Sequence, residues 1–226
     1  MLELTARDPK ESGRDYALRT LKDNIISLHL EPGSMVSESE LAQQMGLSRT
    51  PVREALIELA RVKIVEVVPQ RGSRIALIDY DQVDEGSFLR DTLETAVAAK
   101  CCKEDISAYM PALEENMKMQ ELFQQNDMYE KLMGLDDSFH RTLFQVVNLT
   151  QTYELMHSMT VHMDRLRMIS MYNNTWPKTV AEHQLIFAAV QARDAEAAAK
   201  AMHEHVTRYR IDKAAICEKY PQYLKP

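Results

Sequence analysis

Two short helix-forming runs meet at one glycine and lead directly into a β-branched hairpin, and this order constrains the chain more than any other feature. Leu41 and Met45 carry helical spacing up to Gly46, and Ser48-Arg49-Thr50-Pro51 opens a second run that buries Val52, Ala55, Leu56 and Leu59. Proline is tolerated in a first helical turn because its missing donor would have no partner there. Ile64-Val65-Glu66-Val67-Val68 and Ser73-Arg74-Ile75-Ala76-Leu77 then read as strands around Pro69-Gln70-Arg71-Gly72.

Upstream, residues 13–30 place Tyr16, Leu18, Leu21, Ile25, Ile26 and Leu28 near helical periodicity, and Glu31-Pro32-Gly33 ends that run. Ser34-Met35-Val36 follows as a short segment, and Ser37 with Glu40 has the spacing of a capping box. Three helices and a hairpin make a winged helix-turn-helix, expected over residues 1–78. Arg49, Thr50 and Arg53 fall at the outward N-terminal end of the second short helix, where a recognition helix meets base edges and phosphates. Arg71 sits at the tip of the wing, within reach of a minor groove or a phosphate backbone.

Charge bears on this reading. Residues 1–78 hold 11 Lys or Arg against 11 Asp or Glu, and residues 79–226 hold 16 against 23, which is the whole net charge of −7. With pI near 5.5, nucleic-acid binding cannot rest on bulk charge and must come from placed cations and from dimerisation. Apolar runs are too short for a membrane span, and the N-terminal residues lack a signal-peptide core. Three cysteines, Cys101, Cys102 and Cys217, fit neither a zinc spacing nor an even disulfide set, which points to a reduced, cytoplasmic protein with buried thiols.

From Asp79 onward strand patterns give way to helical periodicity over 81–103, 107–124, 127–147, 151–171, 178–191 and 194–216, with breaks at Asn148, Asn173-Asn174, Pro177 and Arg193-Asp194. The fold class is therefore mainly α, with the winged head followed by an all-helical bundle over 79–226. Asp136 and His140 stand four apart, so both side chains leave one helix face about 5 to 6 Å apart. His183, beside Glu182, and His205 can complete a site, whereas His203, two residues away, turns to the opposite side of its helix. Three imidazoles and a carboxylate suit Zn, Ni, Mn or Fe; an Asp–His pair at this spacing is also a common surface ion pair. Met156, Met159, Met163, Met168 and Met171 read as core filler, and Tyr172 and Trp176 as lining for a pocket mouth or a dimer contact.

The run PGSMVSESELAQQMGLSRTPVREALIELARVKIVEVVPQRGSRIAL resembles the DNA head of the GntR family of bacterial regulators, and Ser39 stands where some members carry an arginine. That resemblance implies Ser48, Arg49, Thr50 and Arg53 as DNA contacts, with Gly72 letting the wing approach the backbone. The second part resembles the FCD branch of the family through Asp136-Asp137-Ser138-Phe139-His140, Glu182-His183 and the run ending at His205. It implies Asp136, His140, His183 and His205 as a divalent-metal set and a small carboxylate or sugar acid as effector, for which Arg90, Arg165 and Arg167 can supply a guanidinium fork. The expected protein is a homodimeric, ligand-responsive regulator of palindromic operator DNA. A metal-dependent enzyme acting on sugar acids and a sensor of the metal itself are the competing readings.

Overall fold

The computed structural model describes residues 2–126, 128–172 and 176–226; the side chains of residues 129, 130, 171, 172, 176, 177, 211 and 212 are outside the described set, as is residue 127. The break expected at Asn173-Asn174 and the roles expected for Tyr172 and Trp176 lie there. The chain divides into two compact units, one formed by residues 1–83, 161–166 and 217–226, the other by 84–160 and 167–216.

The first unit begins with α1 (Gly13–Ile26), capped by the Ser12 hydroxyl accepting from the Asp15 amide. α1 stops four residues short of the expected Leu30, because Leu28 takes a positive φ of 64° and the Leu30 amide turns back to the Asn24 carbonyl. β1 (Met35–Val36), α2 (Glu38–Met45) and α3 (Arg49–Arg61) follow. Gly46 joins α2 to α3 with φ 65°, the left-handed cap that glycine adopts without a Cβ penalty. The capping box is a different matter: Ser37 precedes α2 but makes no side-chain cap hydrogen bond, its backbone being set by the β1 pairing one residue earlier. α1 and α3 pack around Ala17, Leu21, Val52, Ala55 and Leu56.

β2 (Val65–Val68) and β3 (Gly72–Ile75) form the wing, and β1 joins it in the order β1-β3-β2, all antiparallel. The Arg71 amide donates to the Val68 carbonyl across a turn with Pro69 second and Gln70 third at φ 61°, the arrangement of a type II turn. Gly72 has a structural reason of its own: at φ 108° a Cβ would lie 2.8 Å from the Val36 carbonyl oxygen. Gly72→Ala should therefore cost about 1–3 kcal/mol, read as a lowered midpoint in thermal unfolding; an unchanged midpoint would mean that β1 gives way.

Two further pieces complete this unit. Ile78 pairs with Leu224 beside a 3₁₀ turn, Pro221–Tyr223, and residues 161–166 bring His162 and Arg165 into it. His162 Nε2 lies 3.1 Å from the Lys63 carbonyl, and Nδ1 accepts from the Asp79 amide at 3.2 Å and from Arg165 Nη2 at 2.8 Å. Arg165, fully buried, also donates through Nη1 to the Ala76 carbonyl at 2.6 Å.

The second unit is helical: α4 (Tyr80–Cys101, entering it at Asp84), α5 (Met110–Gln125), α6 (Tyr129–Val146), α7 (Thr150–Met159), α8 (Val161–Tyr172, from Arg167), α9 (Trp176–Gln191), α10 (Ala195–Thr207) and α11 (Tyr209–Lys219, to Ile216). The two long helices expected over 151–171 and 194–216 are each interrupted, at Thr160 and at Arg208, so among the described residues the six expected helices are eight. Neither break carries proline or glycine. The core is built on Val97, Leu113, Phe139, Phe144, Ile186 and Met202. Met156, Met163 and Met168 are buried as expected of filler, but Met159 is 46% exposed. Cys101 and Cys102 are buried free thiols and Cys217 is half-buried. Among the described residues no helix is long and apolar enough to cross a membrane.

Candidate metal centre and nucleic-acid interface

α6 presents Asp136 and His140 one turn apart, α9 presents His183 in its interior, and α10 presents His205 near its end. All four side chains are buried, and one ligand atom from each lies within 4.8 Å of the others. His140 Nε2 and His183 Nε2 lie 3.2 and 3.3 Å from His205 Nε2. Asp136 closes the group, with Oδ2 3.6 Å from His140 Nε2 and Oδ1 3.5 Å from His183 Nε2.

The outer partners decide which nitrogens face inward. His183 Nδ1 lies 2.8 Å from Gln120 Oε1, and Gln120 is itself oriented by donating to Asn116. His205 Nδ1 lies 2.9 Å from Glu182 Oε2, and His140 Nδ1 lies 2.5 Å from Glu94 Oε2. Each of these partners is an acceptor, which assigns the ring proton to Nδ1 and leaves three Nε2 lone pairs facing one another. Lone pairs at 3.2–3.3 Å with no proton between them repel unless a cation joins them. Two nitrogens each about 2.1 Å from one ion stand about 3.0 to 3.4 Å apart, so the residues present fit a metal.

Electrostatics agree with neutral His183 and His205 rings beside an anionic carboxylate. Burial, reinforced by the neighbouring imidazoles, pushes the His183 and His205 pKa values well below the ordinary histidine range. Burial would raise the Asp136 carboxyl, but the attraction of its neighbours, the Arg167 guanidinium foremost, outweighs it and holds it far below the usual carboxylate range. Glu94, equally buried, is held down by Arg90 and His140. Neutral imidazole and ionised carboxylate are the forms that ligate metals.

Two arginines border the centre. Arg90 Nε donates to Glu94 at 2.6 Å, and its Nη2 lies 3.3 Å from His140 Nε2. Arg167 holds Asp136 Oδ2 through Nη2 and donates to Asp137 Oδ1 at 3.1 Å through Nη1. Arg165 is not with them, since it belongs to the first unit and bonds His162 and Ala76 there. Two residues along a helix turn a side chain by about 200°, so Arg165 and Arg167 leave α8 on opposite sides. The Arg165 guanidinium, expected to meet the effector, is bonded to His162 and the Ala76 carbonyl.

In the head, Ser48, Arg49, Thr50 and Arg53 are all exposed at the first turns of α3, and Arg71 is exposed at the wing tip. Ser48 caps α3 with its backbone alone, leaving its hydroxyl unused by the cap. Arg49 has one partner, Glu38 Oε2 at 3.4 Å, an exposed pair worth about 1 kcal/mol or less.

Residues 15–75 match the bacterial regulatory proteins of the gntR family, and residues 87–208 match the FCD domain. The chain belongs to the GntR family. A curated relative, the HTH-type transcriptional repressor RspR of Escherichia coli K12, is 31% identical over 203 residues, covering 89% of each chain. An HTH-type transcriptional regulator in an unstable DNA locus of Streptomyces ambofaciens is 35% identical over 195 residues, 85% of this chain and 81% of that one. The solved structure of E. coli McbR/YncC has the same fold, with TM-score 0.78 at 22% identity over 93% of this chain and 99% of that one.

This GntR protein is thus a transcriptional regulator with a DNA-binding head and an FCD domain, not an enzyme. Within its FCD domain the structure brings together Asp136, His140, His183 and His205, with Arg90 and Arg167 beside them. His203 stays outside, exposed and 2.7 Å from Asp91. Two residues escaped the sequence reading, Glu94 and Gln120, and Glu182 was named there as the neighbour of His183 rather than as the partner of His205. The spacing of four from Arg90 to Glu94 was a usable signal for the first; Gln120 had none, since its partner is 63 residues away.

Proposed function

We propose that this GntR protein is a cytoplasmic, homodimeric repressor whose head, residues 1–78, binds a palindromic operator. Its helical part, residues 79–226, holds a divalent transition metal (Zn, Ni, Mn or Fe) and a small carboxylate or sugar acid. The observation that carries the effector side is the convergence of three Nε2 lone pairs on Asp136, each ring fixed from behind by an acceptor. When bound, the metal supplies a Lewis-acidic centre with positions open to a carboxylate oxygen. Asp136, His140, His183 and His205 hold it, and Arg90 and Arg167 orient the anion by their paired N–H groups.

Arg49 reads a base edge, Ser48, Thr50 and Arg53 hold adjacent phosphates at the positive end of α3, and Arg71 with the Gly72 turn brings the wing to the backbone. Repression as the direction follows the relative named a repressor.

The test is a gel-shift on the chain's own upstream DNA. Arg49→Ala should weaken operator binding by about 1–3 kcal/mol and relax discrimination at one base pair, while Glu58→Ala on the same helix should leave it unchanged. Unaltered affinity for Arg49→Ala would remove the base-reading role. Sugar acids and simple carboxylates should shift operator affinity in metal-loaded protein. A response to free metal alone, with organic acids inert, would replace this reading by metal sensing.

A further inference from the structure

Asp136 is already occupied by a cation of the protein's own. Its Oδ2, the oxygen turned toward His140, takes Arg167 Nη2, and Arg167 reaches the neighbouring Asp137 through Nη1 at 3.1 Å. Arg90 Nη2 likewise points at His140 Nε2 from 3.3 Å while its Nε holds Glu94. Two of the four donors that face the centre are thus engaged by guanidinium groups. The cavity bordered by Arg90, Glu94, Asp137, His140, Tyr153 and Arg167 measures only about 10 Å³, room for one water at most.

Formal charge makes the arrangement directional. With the imidazoles counted as uncharged, the form in which they ligate a metal, Arg90 and Arg167 against Glu94, Asp136 and the 32% exposed Asp137 leave one negative charge. A divalent ion turns that into one positive charge, and a monocarboxylate returns it to zero. A buried surplus charge is expensive in either sign, so each ligand makes room electrostatically for the other.

We propose that Arg167 is a placeholder on Asp136 which a divalent metal displaces, and that the released guanidinium then binds the effector's carboxylate, so that metal and a singly charged carboxylate bind cooperatively. The inference rests on the metal reading above and adds an order and a charge class to it. Arg167 is a positioning residue before the metal arrives and a binding residue afterwards. Moving it off Asp136 also enlarges the small cavity that it borders. Coupling is reciprocal: whatever factor the anion adds to metal affinity, the metal adds to anion affinity.

The test is calorimetric titration of the full chain with Mn²⁺, alone and with propionate present, and with succinate as a doubly charged control. In the unsubstituted protein propionate should raise Mn²⁺ affinity about 5-fold or more, and succinate less. Arg167→Gln should bind Mn²⁺ alone more tightly, because the competitor is gone, and should lose the propionate effect. Arg167→Lys keeps a cation without the fork; it should retain the competition and lose most of the enhancement, which covers the case in which the glutamine variant fails to fold. Equal or weaker Mn²⁺ binding by a folded Arg167→Gln, or an intact propionate effect in it, overturns the proposal while leaving the metal site standing. Failure of the unsubstituted protein to bind Mn²⁺, Zn²⁺ or Ni²⁺ overturns both.

Discussion

His183→Ala should leave the protein without stoichiometric metal after dialysis, a loss in affinity of roughly 100-fold or more. Changing only an outer-shell partner of a ligating histidine costs about 10- to 100-fold, and this substitution removes the ligand itself. His183 is fully buried, its Nε2 lies 3.3 Å from His205 and 3.5 Å from Asp136, and its ring stacks on Phe139 at 4.5 Å. The shortened side chain also strands Gln120 Oε1, a buried acceptor whose desolvation costs about 1–3 kcal/mol. The melting temperature should therefore fall even in metal-free protein. It should fall further in the loaded comparison, because ligand at 100 times its Kd stabilises the folded chain by about 2.7 kcal/mol. His203→Ala is the matched control: His203 lies two residues from His205 but pairs with Asp91 outside the centre, so metal content should not change. Elemental analysis of dialysed protein reads both, and full retention of metal by His183→Ala would refute the ligand set.

The residues show what a single sequence makes legible. Gly46, the α2–α3 pair and the wing hairpin depend on neighbours within a few positions, and the chain states them openly. Ser34-Met35-Val36 reads only as a short segment, because the strand partners of Met35 and Val36, Arg74 and Ser73, are almost forty residues away. The interruptions at Thr160 and Arg208 were invisible for another reason: apolar spacing continues across both, and no proline or glycine marks them. Separation by two excludes His203 from the company of His205, and the same rule separates Arg165 from Arg167.

The division of labour between units shows the same limit. A linear boundary at residue 78 or 79 has no means of assigning residues 161–166 to the unit of the head, where His162 meets Lys63 and Asp79 from about a hundred positions away. The metal ligands were readable as a group only because two stand four apart and the resemblance tied in His183 and His205. Their orienting acceptors lie on other helices, and nothing local marks Gln120 as one. Function concentrates in these long-range pairings, whereas sequence pattern is short-range by nature.

Acidification should destabilise the first unit through His162, by about 3 kcal/mol between pH 6.5 and pH 4. Burial, then the charge of Arg165, lowers the His162 pKa to about 4, against the opposing pull of the Lys63 carbonyl; an exposed histidine titrates near 6.5. The folded pKa is the lower one, so below 6.5 the unfolded chain takes up a proton that the folded chain refuses. The stabilisation is complete above 6.5 and is lost as pH falls through the folded value, and at about 1.4 kcal/mol per pH unit the interval gives the stated figure. Geometry explains the refusal: Nδ1 accepts from both the Asp79 amide and Arg165, and a proton there would break both bonds beside a buried guanidinium. His162→Gln keeps an acceptor and a donor but does not titrate. Denaturant unfolding of both proteins at pH 7 and pH 4 should show the gap between them shrinking by that amount, since His183 and His205 act alike in each. Parallel losses in the two proteins would mean that His162 charges freely in the fold, and its bonds to Asp79 and Arg165 would then not be the ones that hold it neutral.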